Sequence, residues 1–392
     1  MGAITLATKF IESAPIPDPL VRLGIAALCG RTHRKLANQG IAANRDFARA
    51  TAALPIAEYV EDANAQHYEV PAAFFELVLG PQRKYSCCLF QSATDDLAAA
   101  EEQALAETAA HAGLADGQAI LELGCGWGSL SLWMARHYPA SRIVAVSNSR
   151  SQREFIEGRA QAQGLTNLTV ITADMNGFSP ERRFDRIVSV EMFEHMVNWR
   201  RLLMRVRSWL ADDGRFFMHV FTHSRAPYRF DHNDKTDWIA QHFFTGGIMP
   251  SHDFIREFDD VLAVEQDWRW SGTHYRDTAR LWLKNYDDNA EAIRAILADV
   301  YGKDATVWQR RWRLFFLATE GLFGYDNGDV WGVSHYGCAP RDQSLRSKCD
   351  ITARLARKAS DAARPVANAP QARSITVIDA VQLRKVAWLV RS

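Results

Sequence analysis

Residues 118–138, QAILELGCGWGSLSLWMARHY, decide the fold. Residues 119–123 are apolar apart from Glu122, the length and composition of a strand buried on both faces. SLSLWMARHY then carries apolar residues at helical spacing. Between them Gly124, Gly126 and Gly128 stand at alternate positions. A glycine turn that leaves a strand and opens a helix lets backbone approach a ligand, and the free N–H groups of the helix start favour polar or negative ligand atoms. The same turn can also serve packing alone.

The alternation continues outward. RIVAVS (142–147), NLTVITAD (167–174), FDRIVSVE (184–191) and RFFMHVF (215–221) read as further strands. SQREFIEGRAQAQG (151–164) and WRRLLMRVRSWLADDG (199–214), the latter ending on Gly214, read as the helices between them. VLAVEQDWRW (261–270) and VWGVSHY (330–336) add two late strands, for seven in all. Such alternation predicts an α/β fold, a doubly wound, mostly parallel sheet with helices on both faces. The spacing is GxGxG rather than GxGxxG, and the second strand ends on Ser147 and Asn148 with no acidic residue. Both features argue against a dinucleotide site.

Four regions follow: an N-terminal helical cap (1–80), a core (81–222), a lid insertion with the closing strands (223–336) and a basic, flexible tail (337–392). The 392-residue chain has zero formal net charge, which gives no argument for nucleic acid as a partner. Residues 341–392 nevertheless carry 11 Lys and Arg against 4 Asp and Glu. A basic tail of this kind is commonly a solvated extension, although it could meet nucleic acid or an anionic membrane. No run reaches the ~20 apolar residues of a membrane span. The six cysteines form no CxxC pattern, so reduced thiols, a cytoplasmic location and no metal site are expected.

SVEMFEHM (189–196) sets Glu191, Glu194 and His195 directly after an apolar run, an expensive place for charge without partners. With LELGCGWGSL, AVSNSRSQREFI, ADM and FDRIVSVEMFEHM in this order, the chain resembles S-adenosylmethionine (SAM)-dependent methyltransferases of the cyclopropane fatty acid synthase-like superfamily. LGPQRKYSCCLF, EMFEHM, FTGGIMPS and LFGYDNGDVWGVSHY are most similar to the coclaurine N-methyltransferase branch. The resemblance spans roughly residues 15–336 and implies a seven-stranded Rossmann-like class I methyltransferase sheet with N-terminal helices and a helical lid.

It further implies that Tyr85, Ser86, Glu122, Gly124, Gly126, Gly128, Ser147, Asn148, Gln152, Asp174 and Met175 bind SAM, and that Glu191, Glu194 and His195 are catalytic. Trp238, beside Asp237, would belong to the lid. An alkylamine with a pKa near ~10.4 must lose a proton before methylation, which costs roughly 4.6 kcal/mol at pH 7. A carboxylate can hold the ammonium and an imidazole can accept its proton.

The same superfamily includes lipid-acting enzymes that close a cyclopropane ring with bound bicarbonate as base. Their anion-binding set would be Cys87, Glu194, His219 and Tyr275 here, with an unsaturated acyl lipid as substrate. Glu191 favours the amine, because lipid-acting members usually have a small residue there. The partner is therefore expected to be a small aromatic or alkaloid-like amine, with a homodimer possible. A SAM-binding protein without turnover is the reading from another class.

Overall fold

The apolar runs become the strands of one sheet in the computed structural model, which describes residues 12–40, 42–59 and 70–341. The N-terminal helices α1 (Asp18–Ala37), α2 (Ala43–Thr51), α3 (Ala72–Val78) and α4 (Leu97–His111) lead into β1 (Ala119–Leu123). Strand β1 is buried at every position, as a central strand must be. Then follow α5 (Ser129–His137), β2 (Arg142–Ser147), α6 (Arg150–Ala162), β3 (Leu168–Thr172), β4 (Phe184–Val190), α7 (Trp199–Trp209) and β5 (Leu210–His223). Two short strands, β6 (Tyr228–Arg229) and β7 (Ile248–Met249), pair with each other and flank α8 (Trp238–His242). Strand β8 (Leu262–Trp270) precedes α9 (Gly272–Asp288), α10 (Ala290–Tyr301) and α11 (Ala305–Gly324), and β9 (Trp331–Pro340) closes the fold.

The sheet order is β3-β2-β1-β4-β5-β9-β8. Strands β1 to β5 run parallel, while β9 is antiparallel to both of its neighbours. All seven strands read from the sequence are present. Local chemistry starts the helices: Ser149 accepts the N–H of Gln152 ahead of α6, and Asn198 that of Arg201 ahead of α7.

Two boundaries differ from the sequence reading. Helix α7 ends at Trp209, and Leu210–Gly214 already belong to β5, with a register shift opposite Phe184 and Arg186. Gly214 is therefore no helix stop. It passes so close to β4 that an added Cβ would lie 2.9 Å from the Phe184 carbonyl oxygen. Residues 337–340, assigned to the tail by sequence, are the end of β9, because Gly337 to Pro340 pair with β8. Residues 342–392 lie outside the described residues.

Helix α1 packs on α11 where Gly321 makes room for Ile25, and the Asp18–Arg313 (2.6 Å) and Arg22–Glu320 (2.8 Å) ion pairs tie the two together. Its Leu20 and Leu23 stay exposed, at 60% and 68%. Phe74 and Phe75 of α3 press on Trp312 of α11, at centroid distances of 4.8 and 6.1 Å. Cap and lid thus share one aromatic core beside the carboxyl ends of the parallel strands. No helix among the described residues is long and apolar enough to cross a membrane.

Candidate active site

A cavity opens at the carboxyl ends of β1, β2 and β4, and the strand order reverses between β1 and β4. The three glycines divide their work. All have positive φ, +79° at Gly124, +51° at Gly126 and +78° at Gly128. A Cβ on Gly124 would sit 2.5 Å from the Met192 side chain, and one on Gly128 2.6 Å from Ile156. Both are close-packed on their Cα side, Gly124 on the cavity wall and Gly128 off it. Gly126 is on the wall, with no protein atom within 4 Å of an added Cβ.

Around it lie Glu122, Trp127, Ser129, Ser147, Asn148, Gln152, Asp174 and Met175. The Ser129 hydroxyl and the Trp127 indole N–H are buried without a partner among the described residues, as expected of groups shaped for a polar ligand. Glu122 accepts one hydrogen bond, from Ser131 at 2.5 Å, and burial pushes its pKa up to about 7. The Ser147 hydroxyl donates to Gln152 (2.7 Å), and the Asp174 carboxylate accepts the Asn176 N–H (2.9 Å). These residues fit a small polar cofactor.

At the end of β4 the chain turns sharply. Glu191 has φ +45°, a conformation that costs a non-glycine residue of order 1–3 kcal/mol. Its backbone N–H is held by the His219 carbonyl at 2.9 Å. The carboxyl group has three hydrogen-bond partners: the Cys87 backbone N–H (2.9 Å) and His219 Nε2 (3.2 Å) at one oxygen, and the Tyr275 hydroxyl (2.6 Å) at the other. Burial raises its pKa, while Lys84 and the donors oppose that rise. The Lys84 ammonium donates to the Ser86 hydroxyl and the Cys87 carbonyl, both at 2.6 Å.

Glu194 is fully buried behind the wall. One of its oxygens accepts the Phe221 N–H (2.8 Å), and the other has no partner among the described residues. Burial, then the Glu191 charge, raise its pKa well above the carboxylate range, and burial raises that of Glu191 as well. His195 lines the cavity and stacks on Phe244, with centroids 4.4 Å apart.

The sequence-selected residues are thus mostly brought together. Glu191, His195, Tyr85, Ser86 and Tyr275 reach the cavity, whereas Cys87, Glu194 and His219 stand behind it. Trp238 is turned away: its indole donates to Glu12 (2.8 Å), and it does not line the cavity. Asp237 caps α8 by accepting the Ala240 N–H. Sequence reasoning missed Lys84 and the aromatic wall of Phe221, Phe244, Trp282 and Phe315. The signal for Lys84 was its place inside LGPQRKYSCCLF, and its burial (2% exposed) could not be read there. Among the described residues no group of His, Cys, Asp and Glu is placed to hold a metal ion, and the five described cysteines are free thiols.

Residues 57–333 match the family described as mycolic acid cyclopropane synthetase. The (S)-coclaurine N-methyltransferase of Thalictrum flavum subsp. glaucum is 34% identical over 336 residues, covering 83% of this chain and 93% of that protein. The cyclopropane-fatty-acyl-phospholipid synthase of Escherichia coli (strain K12) is 28% identical over 270 residues, 68% of this chain and 66% of that one. A crystal structure of coclaurine N-methyltransferase bound to N-methylheliamine and S-adenosylhomocysteine (SAH) superposes with a TM-score of 0.83. It is 32% identical and covers 86% of this chain and 99% of that one. The chain therefore belongs to the mycolic acid cyclopropane synthetase family and is a SAM-dependent methyltransferase.

Proposed function

We propose that this enzyme methylates the nitrogen of an aromatic, alkaloid-like amine, with Glu191 as the anion that holds the substrate ammonium and His195 as the acceptor of its proton. One observation carries the proposal: the Cys87 N–H and the Tyr275 hydroxyl donate to the Glu191 carboxyl group, and His219 Nε2 hydrogen-bonds it as well. In the lipid reading Cys87, His219 and Tyr275 would hold a bicarbonate. Here they already hold a carboxylate built into the chain, at the position facing the cavity. A fixed anion suits a cationic substrate and adds little for an alkene. The relatives named above as N-methyltransferases support the same choice.

SAM supplies, when bound, a methyl group activated on a sulfonium. Gly126, Trp127, Ser129, Glu122, Ser147, Asn148, Gln152, Asp174 and Met175 would hold it, with Tyr85 and Ser86 on the side toward Glu191. The residues then have separate tasks. Glu194 is buried behind the wall, so the carboxylate that meets the nitrogen is Glu191. Phe221, Phe244, Trp282 and Phe315 bury a flat aromatic body and exclude water, which strengthens the Glu191–ammonium contact. His195 takes the proton while Phe244 fixes its ring plane. Orientation of the nitrogen toward the methyl group contributes up to ~7–11 kcal/mol.

The test is methyl transfer from SAM to a panel of secondary and tertiary aromatic amines, read as SAH release and methylated product. Glu191→Gln and His195→Ala are expected to lower kcat by ~10²–10⁴-fold while SAM affinity holds. Absence of product from every amine, or full activity in both variants, contradicts the proposal.

A further inference from the structure

We propose that His219, His335 and His111 form a proton relay that connects the Glu191 carboxylate to solvent at Glu107. The inference rests on the amine reading above and extends it from the site to the surface: the proton that His195 takes from the ammonium passes to Glu191 once the methylated product has left, and the relay carries it outward. His219 and His335 are direct register partners in the β5/β9 ladder, so their imidazoles meet on one face of the sheet. His219 Nε2 lies 3.2 Å from the Glu191 carboxylate, and His219 Nδ1 lies 2.8 Å from His335 Nε2. His335 Nδ1 in turn is 2.8 Å from His111 Nδ1, at the end of α4. His111 Nε2 then faces Glu107 at 3.0 Å.

Exposure rises along the run: His219 and His335 are 0% exposed, and the side chains of His111 and Glu107 are 11% and 41% exposed. Aromatic rings wall it off. Trp270 lies 4.3 Å from His335 between centroids, and Trp268 stacks on His111 at 3.8 Å. Three adjacent imidazoles are a costly way to fill a core, where apolar residues would pack without any hydrogen-bonding demand. All six ring nitrogens are engaged, and the line runs without a branch from the reacting carboxylate to a surface carboxylate.

Both hydrogen polarities satisfy it. With Glu191 protonated, three neutral imidazoles all donate outward. With Glu191 ionised, His219 and His335 donate inward through Nε2–H, and His111 is the cation facing Glu107. The step between them breaks the Glu191 O–H, His219 Nδ1–H and His335 Nδ1–H bonds. It forms His219 Nε2–H, His335 Nε2–H and His111 Nδ1–H, and one proton's charge moves from Glu191 to His111. Burial holds His219 and His335 well below the ordinary imidazole range, so each rests neutral with one donor and one acceptor nitrogen, as a relay requires. The titratable groups facing the inner end are Lys84, Cys87, Glu194 and Tyr275, and the outer end faces Glu107. Lys84 disfavours a positive charge on either inner ring; at His111 burial also lowers the pKa, and the Glu107 carboxylate opposes that fall, so the cation at the outer end is held by its pairing with Glu107.

The experiment is ¹⁵N NMR of the full chain labelled at histidine, across pH, in wild type and Glu191→Gln. The relay predicts that His219 and His335 switch together from Nδ1–H to Nε2–H as Glu191 ionises, and that Glu191→Gln holds them in one pattern. Tautomers fixed at every pH overturn it. In turnover, His111→Ala is expected to lower kcat at least about tenfold at unchanged KM for SAM. Added imidazole, entering the space against Trp268, should restore that rate. Wild-type kcat in this variant, or a loss that imidazole does not touch in a protein of normal melting behaviour, also overturns it. If no amine is methylated by the wild type, the proposed function fails, yet the tautomer switch still reports on the relay.

Discussion

Glu191 combines three features that oppose stability: a positive φ, a buried carboxylate and a share in a crowded cluster of titratable groups. Such strain persists at sites where function needs a group held in one place. Glu191→Gly should therefore raise the melting temperature while abolishing most amine turnover. It also frees the Cys87 N–H, His219 and Tyr275 donors, so bicarbonate is expected to restore part of the activity. A variant that melts lower, or that ignores bicarbonate, contradicts this view of the anion position. Glu122 gives a second prediction. Its pKa in the folded chain is about 7, above the 4.5 of an exposed glutamate, so its contribution to stability is fully present below pH ~4.5 and is lost as pH rises through 7. The loss is about 3 kcal/mol at most. Glu122→Gln should leave the urea midpoint at pH 5 nearly unchanged and raise it at pH 8 without SAM; equal midpoints at pH 8 contradict the assignment. At this scale EMFEHM pointed to Glu191 and His195, and both line the cavity. It could not show that Glu194 turns behind the wall, because a three-residue spacing in an irregular turn does not fix which way a side chain points.

The glycine loop is the element on which cofactor and sheet meet. Its residues should fail in different ways. Gly124→Ala puts a methyl against Met192, the neighbour of Glu191, and is expected to lower the melting temperature clearly. Gly126→Val pays only the left-handed backbone cost, roughly 1–2 kcal/mol, yet fills the open side of the loop. It should stay folded and lose more than about tenfold in SAM affinity by calorimetry; unchanged affinity would show that the loop only packs. The strands were legible because buried parallel strands are nearly continuous apolar runs. The α7–β5 junction was not, since LADDG reads as a helix end while the close approach of Gly214 to β4 exists only in the folded sheet.

Across the whole molecule, distant segments supply one site: LGPQRKYSCC between α3 and α4, EMFEHM after β4 and Tyr275 on α9. The sheet closes at Pro340, so a chain ending at Arg341 is expected to fold and to turn over as the full chain does. Loss of folding on that truncation would assign residues 342–392 a part in the fold. The histidine run shows why part of the chemistry was hidden. His111, His219 and His335 are far apart in sequence, and only the antiparallel pairing of β5 with β9 and the packing of α4 bring them into line. Each inner strand did carry a hint, a histidine inside a mostly apolar run, RFFMHVF and VWGVSHY.

The most direct measurement is SAH release by the purified wild-type chain, with aromatic amines in one arm and vesicles of unsaturated phospholipid in the other, each with and without bicarbonate. The built-in carboxylate predicts turnover on amines that is indifferent to bicarbonate and falls as pH drops. Turnover confined to vesicles and rising with bicarbonate would contradict it.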